Sequence, residues 1–445
     1  MTSAQKFIEF LRESPSAYHC VLASKKMLVQ AGFQELEESQ AWNLVPSGKY
    51  FFTRGASVMA FALGGALQAG GSFKIIGAHT DCPTLKIKPN SAVNRSNCLS
   101  VGVQTYGGGV WTTWFDRDLS VAGRAVVSTP EGRFQVRPVN VHRPILRIPN
   151  LAIHLDREAS KTFNPQTHLL PMLASAIKGS PAQTGSHEFH HPLLMRLVAE
   201  ELQVPVTSIV DVDLSLYDCQ GPVVGGALNE FIFGQHLDNA IMAYCGLDAF
   251  VGSMGSLATE QGVRMCCCFD HEEVGSRSAE GAEATTLYTL MSRILRATPA
   301  VAAAEGLLDR CIARSMVISA DVAHALHPNY SSCQMGAGPV IKFDTCQRYS
   351  TGLVNSFVLT QLAAQANVPV QRFMVRNDSP CGSTIGPAIA SGCQISTADL
   401  GIPILSMHSI REQAALDDIE HTLKLFQQFY EGYDQLAASI EQRSA

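Results

Sequence analysis

Five well-separated apolar stretches of this chain each run out into a histidine or a carboxylate: IIGAHTD at His79 and Asp81, GQHLDN at Asp238, CCCFDHEEVGS at Glu272 and Glu273, VISADVAH at Asp321, and LSMHSIRE at His408. Short apolar runs of this kind read as buried strands, and polar residues at their carboxyl ends face one crevice when the strands lie side by side in an α/β sheet. Between the runs the pattern alternates. A helix is expected from Asp238 to about Gly252, a strand over MCCCFD, a helix through the Ala-rich segment after Gly281, a strand over SMVISAD, a helix from about Asn355 to Ala366, and strands before His408. Strand and helix in alternation predict an α/β fold with a mostly parallel sheet flanked by helices.

This pattern occupies residues 1–90 and 232–445, opening with apolar residues at helical spacing from about Ser3 to Ala31 and a strand at FKIIGA, and closing with an amphipathic helix from about Ile419 to Ser439. Residues 91–231 differ in texture: short β-rich pieces punctuated by glycine, such as VGVQTYGGGVWTTWFDRDLSVAGRAVV, and a polar stretch near Ser180 to His191 that reads as an exposed loop. That interval is expected to be an inserted β-rich domain. A chain of 445 residues with 46% hydrophobic content can build two cores.

A formal charge of -6 gives no global reason to bind nucleic acid or an anionic membrane. The N-terminus MTSAQKFIEFLRESPSAYH lacks the apolar core of a secretion signal, and no stretch is expected to span a membrane, which takes roughly 20 apolar residues. Cysteine is plentiful, at 13 residues, but the count is odd, and Cys266, Cys267 and Cys268 sit consecutively in an apolar run where neighbouring strand residues face opposite ways. A reducing, cytoplasmic setting is expected.

The five run-ends also sum chemically. Imidazole mixed with carboxylate suits zinc, with manganese or cobalt as alternative occupants. If Asp238 bridges two ions, His79 and Asp321 complete one set and Glu273 and His408 the other. Two ions about 3.5–4 Å apart make a water nucleophilic and stabilise an oxyanion. The adjacent pair Glu272-Glu273 then supplies a proton carrier if one carboxylate binds metal while its neighbour reaches the water. Asp81, two residues after His79, either orients that imidazole or serves as a turn residue beside Pro83.

The blocks GAHTDCPTLKIKP, YGGGVWTTWFDRDLSVAGR, IPNLAIHLDR, LDN, DHEEVGS, SADVAHALHPNY, GPVIKFDTCQRYS, RNDSPCGSTIGP and MHSIRE resemble, in order and over nearly the whole chain, the signature blocks of the aspartyl aminopeptidases. The resemblance implies a zinc exopeptidase-like catalytic domain with two zinc ions per subunit, interrupted by a dimerisation domain and assembled into a homododecamer built from dimers. It implies removal of N-terminal Asp or Glu from peptides. It also implies His79, Asp238, Glu273, Asp321 and His408 as ligands, Glu272 as catalytic base, and His324, Lys342 and Tyr349 as substrate contacts. His154 resembles the histidine that such proteins send into a neighbouring subunit's site. An ammonium at Lys342 in a partly desolvated pocket would pair with a substrate carboxylate and disfavour apolar side chains.

Other residues read more plainly. His187, His190 and His191 lack a partner at ligand spacing, the GGG at 107–109 suits a close backbone approach or turn, Cys82 suits packing, and Cys381 lacks the partners of a nucleophile. Two departures from the resembled blocks stand out: the short SSCQMGA before GPVIK, and His236 where arginine is usual. They bear on acidic specificity, leaving a broad aminopeptidase, another two-metal amide hydrolase or a non-catalytic scaffold as alternatives.

Overall fold

A computed structural model describes residues 1–157, 162–176, 178, 189–327 and 333–440. It is a mixed α/β structure whose described strands form sheets of nine, six and five strands. The apolar runs form the middle of the largest sheet, in the order Val263–Phe269, Phe73–His79, Met316–Ala320, Ser396–Gly401, and these four are mutually parallel. Outside them the sheet is mixed. Ser57–Leu63 pairs antiparallel with Val263–Phe269, and Val340–Phe343 pairs antiparallel with Ser396–Gly401.

The central strands are buried on both faces, which is why they read as mostly apolar rather than alternating. Cys266 and Cys268 pack with Phe250 and Tyr430 on one side, while Cys267 packs with Met291 and Ile389 on the other. All 13 cysteines are free thiols. On the first side the helix Leu237–Gly252 lies between the sheet and the C-terminal helix Leu416–Ala438. A side-chain carbon at Gly246 would come within 3.1 Å of Ile76 and 3.2 Å of Cys266, so glycine is what lets this helix approach the sheet. With the turn that follows, Leu237–Thr259 is long and apolar enough to cross a membrane, contrary to the expectation that no stretch would be; here it is largely buried as the central helix of the core.

Three local expectations change. The opening helical stretch is two helices, Ser3–Arg12 and Ala17–Gln30, separated by Pro15, with Ser16 capping the second through the His19 amide. The Ala-rich run precedes its helix, which spans Thr286–Arg296. His190 and His191 are buried rather than on an exposed loop: His190 meets Ser91 Oγ at 2.8 Å, and His191 caps the helix Pro192–Leu202 by accepting from the Leu193 amide at 3.1 Å. His187 lies outside the described residues, as do residues 331 and 332 of the short segment before Gly338.

The six-stranded sheet runs Phe134–Asn140, Leu119–Ser128, Ile209–Asp218, Thr84–Arg95, Cys98–Tyr106, Met172–Ser175 and has its own core around Val101, Trp114, Val121 and Leu214. Its Thr84–Arg95 strand crosses the 90/91 boundary expected from sequence. The five-stranded sheet links the two larger ones: Phe231–Gly234 pairs with Glu412–Ala415, which pairs with Pro403–Leu405, and this pairs with Ala323–His324.

Candidate metal centre

Register places the polar run-ends together. Phe269 pairs with His79 across parallel strands, so the turn carrying Glu272 and Glu273 leaves the sheet beside His79. On the other side Ser319 pairs with Gly77, which puts Asp321 one residue beyond its strand at the same edge. Asp238 begins the central helix, and His408 sits in the turn between Pro403–Leu405 and Glu412–Ala415.

The two oxygens of Asp238 face different imidazoles: Oδ1 lies 3.4 Å from His79 Nε2, and Oδ2 lies 3.2 Å from His408 Nε2. His79 Nε2 is also 3.9 Å from Asp321 Oδ2 and 4.0 Å from Glu272 Oε2, and His408 Nε2 is 3.5 Å from Glu273 Oε2. The structure thus gathers His79, Asp238, Glu272, Glu273, Asp321 and His408 into one cluster, with Asp238 between its halves.

A second layer holds the first. Asp81 is buried, accepts from Tyr106 Oη at 2.7 Å, and takes the Glu272 and Glu273 amides at 3.1 Å each. His79 Nδ1 lies 3.0 Å from the Asp81 carbonyl and 3.4 Å from its carboxylate, which leaves Nε2 aimed at the cluster. Asp81 therefore does more than turn the chain. The GGG segment makes the close approach its composition suggested: Gly108 O is 3.1 Å from His408 Nδ1, and a side-chain carbon on Gly107, at φ 75°, would fall 3.2 Å from Glu273 Cβ. Glu412 accepts from the amides of both Asp238 and His408; neither it nor Tyr106 was singled out from sequence.

A cleft of about 660 Å³ opens over the cluster and is also lined by His324, Lys342, Arg348, Tyr349 and Thr384. Lys342 is buried, donates to the Val322 carbonyl at 2.8 Å, lies 3.5 Å from Asp321 Oδ1, and has Nζ 5.2 Å from the Tyr349 ring centre. Asp399, buried behind the cleft, accepts from Thr384 Oγ1 and the Ser350 amide, both at 2.5 Å, and so ties two rim segments together. His324 is exposed and packs edge-on against Phe373. His154 does not line this cleft; it lies on an exposed turn whose Leu151, Ile153 and Leu155 are exposed as well. His236 also lies outside it, with Nδ1 3.5 Å from the Ser14 carbonyl.

Crowded carboxylates with little solvent shift one another. Burial pushes Glu272 up to about 8, with Asp321 and Asp238 adding to the rise and His79 opposing it. Burial and Asp238 likewise raise Glu273 well above the ordinary range. Burial works against charge on His408, but Asp238 outweighs it and lifts the imidazole to about 8. Protein alone leaves this cluster short of positive charge.

A divalent cation fits that deficit. Asp238 Oδ1 and Glu273 Oε1 are buried with no hydrogen-bond partner among the described residues. Two atoms each about 2.1 Å from a tetrahedral zinc ion lie about 3.4 Å apart, and the closest facing pairs here are separated by 3.2, 3.4 and 3.5 Å. His79, Asp238 and Glu273, and separately His79, Glu272 and Asp321, present ligand atoms within 4.8 Å of one another.

Known proteins share this architecture. The probable aspartyl aminopeptidase of Ricinus communis is 42% identical over 473 aligned positions, covering 97% of this chain and 96% of that protein. The aspartyl aminopeptidase of Dictyostelium discoideum is 41% identical, with 98% of both chains covered. Among solved structures, the cryo-EM structure of the Ape4 and Nbr1 complex superposes with a TM-score of 0.95 at 40% identity, covering 99% of this chain and 88% of that one. The Saccharomyces cerevisiae mApe1 dodecamer superposes at 0.86 with 26% identity, covering 98% of each. The family described as aminopeptidase I zinc metalloprotease (M18) matches residues 10–430, and this chain belongs to that family.

Proposed function

We propose that this protein is a metalloaminopeptidase that hydrolyses the first peptide bond of its substrates and prefers N-terminal Asp or Glu. The observation that carries the reading is Asp238, whose two carboxylate oxygens face His79 and His408 while Glu272 stands in the same cleft. His79 and Asp321 would hold one zinc ion, Glu273 and His408 a second, and Asp238 both; manganese or cobalt suits the same donors. Bound ions supply Lewis acidity, lowering the pKa of water and stabilising an oxyanion.

The chain's own groups account for the proton. Glu272 reaches into the cleft with its amide fixed by Asp81. With cations held beside it to oppose the burial that raises its pKa, it stays a carboxylate, takes a proton from the attacking water as the oxygen–carbon bond forms, and returns it to the leaving nitrogen as the carbon–nitrogen bond breaks. Lys342, with Tyr349 beside it, would face the substrate's acidic side chain, and His324 lines the same cleft. Relatives named aspartyl aminopeptidases support the acidic preference.

The β-rich insertion at 91–231 is taken as the dimerisation domain of a homododecamer, a state supported by the dodecameric mApe1 neighbour, and the exposed His154 turn is taken to reach a neighbouring subunit's cleft. Thirteen free thiols suit a cytoplasmic location. Turnover of aspartyl, glutamyl, leucyl and lysyl chromogenic substrates, with and without chelator, tests the function. Equal or faster turnover of the leucyl substrate overturns the acidic preference, and chelator-resistant turnover overturns the metal mechanism.

A further inference from the structure

Glu412 opens a strand that carries none of the proposed ligands, yet both its carboxylate oxygens bind backbone amides of two of them. Oε2 accepts from the Asp238 amide at 3.0 Å and Oε1 from the His408 amide at 2.8 Å. The residue is 3% exposed, so neither bond has water as a ready substitute. Strand pairing fixes its place. Gly234 is in register with Glu412, and from Gly234 the chain needs only four residues to reach Asp238.

The two segments it joins each need holding. Asp238 has φ -80° and ψ 104°, outside helical geometry although it lies in the first turn of the central helix. His408 has φ 67°, a left-handed conformation that a non-glycine residue keeps only when its surroundings fix it. Its amide is held by Glu412, its carbonyl by the Val110 amide at 2.9 Å, and its Nδ1 by Gly108 O. Remove the carboxylate, and nothing else described accepts from the Asp238 and His408 amides.

We propose that Glu412 is a positioning residue for the metal centre, one carboxylate that sets the bridging Asp238 and His408 at their mutual distance by binding both backbones. It touches neither substrate nor reacting atoms and acts through the two side chains it places. This inference rests on the reading of His79, Asp238, Glu273, Asp321 and His408 as ligands.

Glu412→Gln keeps the volume but offers one acceptor oxygen for two amides, and Glu412→Asp keeps the charge but shortens the reach. The expected result for both is zinc affinity about 10–100-fold weaker than wild type, measured by competition with a chromophoric chelator, and a changed visible absorption spectrum of the cobalt-loaded protein. A residue that only stabilises the fold would lower the melting temperature and leave that spectrum alone. Zinc affinity within twofold of wild type together with an unchanged cobalt spectrum overturns the proposal. In the unaltered metal-loaded protein, amide hydrogen exchange of peptides covering 236–240 and 407–410 is expected to be slow at Asp238 and His408; fast exchange there overturns it even if neither variant folds. Wild-type protein that binds no zinc would instead overturn the ligand reading itself.

Discussion

Lys342→Met should separate the proposed recognition of acidic substrates from the rest of the site. The lysine is buried, with two of its donors directed at the Val322 carbonyl, 2.8 Å away, and at Asp321 Oδ1, 3.5 Å away. That leaves a third donor for a ligand in the cleft. Losing one partner of a desolvated, hydrogen-bonded charge pair costs about 2–5 kcal/mol, and Asp321 already neutralises part of this charge, so about 3 kcal/mol is the reasonable share for a substrate carboxylate. At 1.4 kcal/mol per tenfold, that is about a 100-fold loss. Methionine keeps the length and apolar stem but offers no donor. Its effect on Asp321 would be common to every substrate and cancels in a ratio. The assay is therefore kcat/KM for an aspartyl substrate divided by kcat/KM for the leucyl analogue, in wild type and variant. A fall of about 100-fold in that ratio is expected. If both substrates lose activity equally and the ratio stays within threefold, Lys342 serves Asp321 and not the substrate, and the argument for acidic selectivity from this residue fails.

Glu272→Gln should lower kcat by about 10²–10⁴-fold with a small change in KM, since it removes the proton carrier and leaves the cleft intact; undiminished kcat in a purified variant would rule the role out. Chelation should lower the melting temperature as well as abolish turnover, because ligand at about 1,000 times its Kd contributes about 4 kcal/mol to stability; calorimetry showing the same melting with and without chelator refutes the fit of the cluster to a cation. Lys74→Met, far from the cleft, should cost about 1–3 kcal/mol in denaturant unfolding near neutral pH, because Lys74 is buried against Glu260 at 2.6 Å while Arg264 stays paired with the same carboxylate at 2.9 Å. Burial alone would raise Glu260, but Lys74, the Gly262 amide and Arg264 hold it below the usual carboxylate range. Its contribution is present above the unfolded carboxylate pKa and is lost as pH falls through the folded one, so the wild-type advantage should shrink in acid. A difference that grows toward low pH would contradict the pairing.

Much of the fold was legible because burial on both faces leaves a strong mark. The strands ending at His79, Phe269 and Ala320 are apolar but for Lys74, Arg264 and Ser319, and the central helix carries its own apolar run from Ala240 onward. The misread places carried competing signals. Alanines at 279–284 favour a helix by propensity, yet Glu280 and Gly281 are occupied in packing against Ser57, Asp270 and Ser276, and the helix waits until Thr286. His190 and His191 sit beside a polar loop, and their burial goes with the tertiary partner Ser91 and the capped Leu193 amide, which no local pattern marks. The sheet's antiparallel flanks were hidden for a different reason: pairing direction depends on how distant segments connect, which no local period encodes.

At the candidate site the same division separates inner from outer residues. His79, Asp238, Glu272, Glu273, Asp321 and His408 could be picked out because each ends an apolar run and offers a side chain whose chemistry has few uses at a strand end. The outer layer works mainly on backbone groups. Gly108 contributes a carbonyl, Val110 an amide, and Glu412 binds two amides from segments 174 and 4 residues away in sequence. A carbonyl or amide belongs to every residue type, so nothing in the local sequence marks which ones will be used. Nothing in the sequence marks Glu412, since its partners are backbone atoms that any sequence would provide. The donors that would bind metal are thus readable as residue types, whereas the distances between them are set by register and by carboxylates that hold backbone, and these exist only in the folded chain.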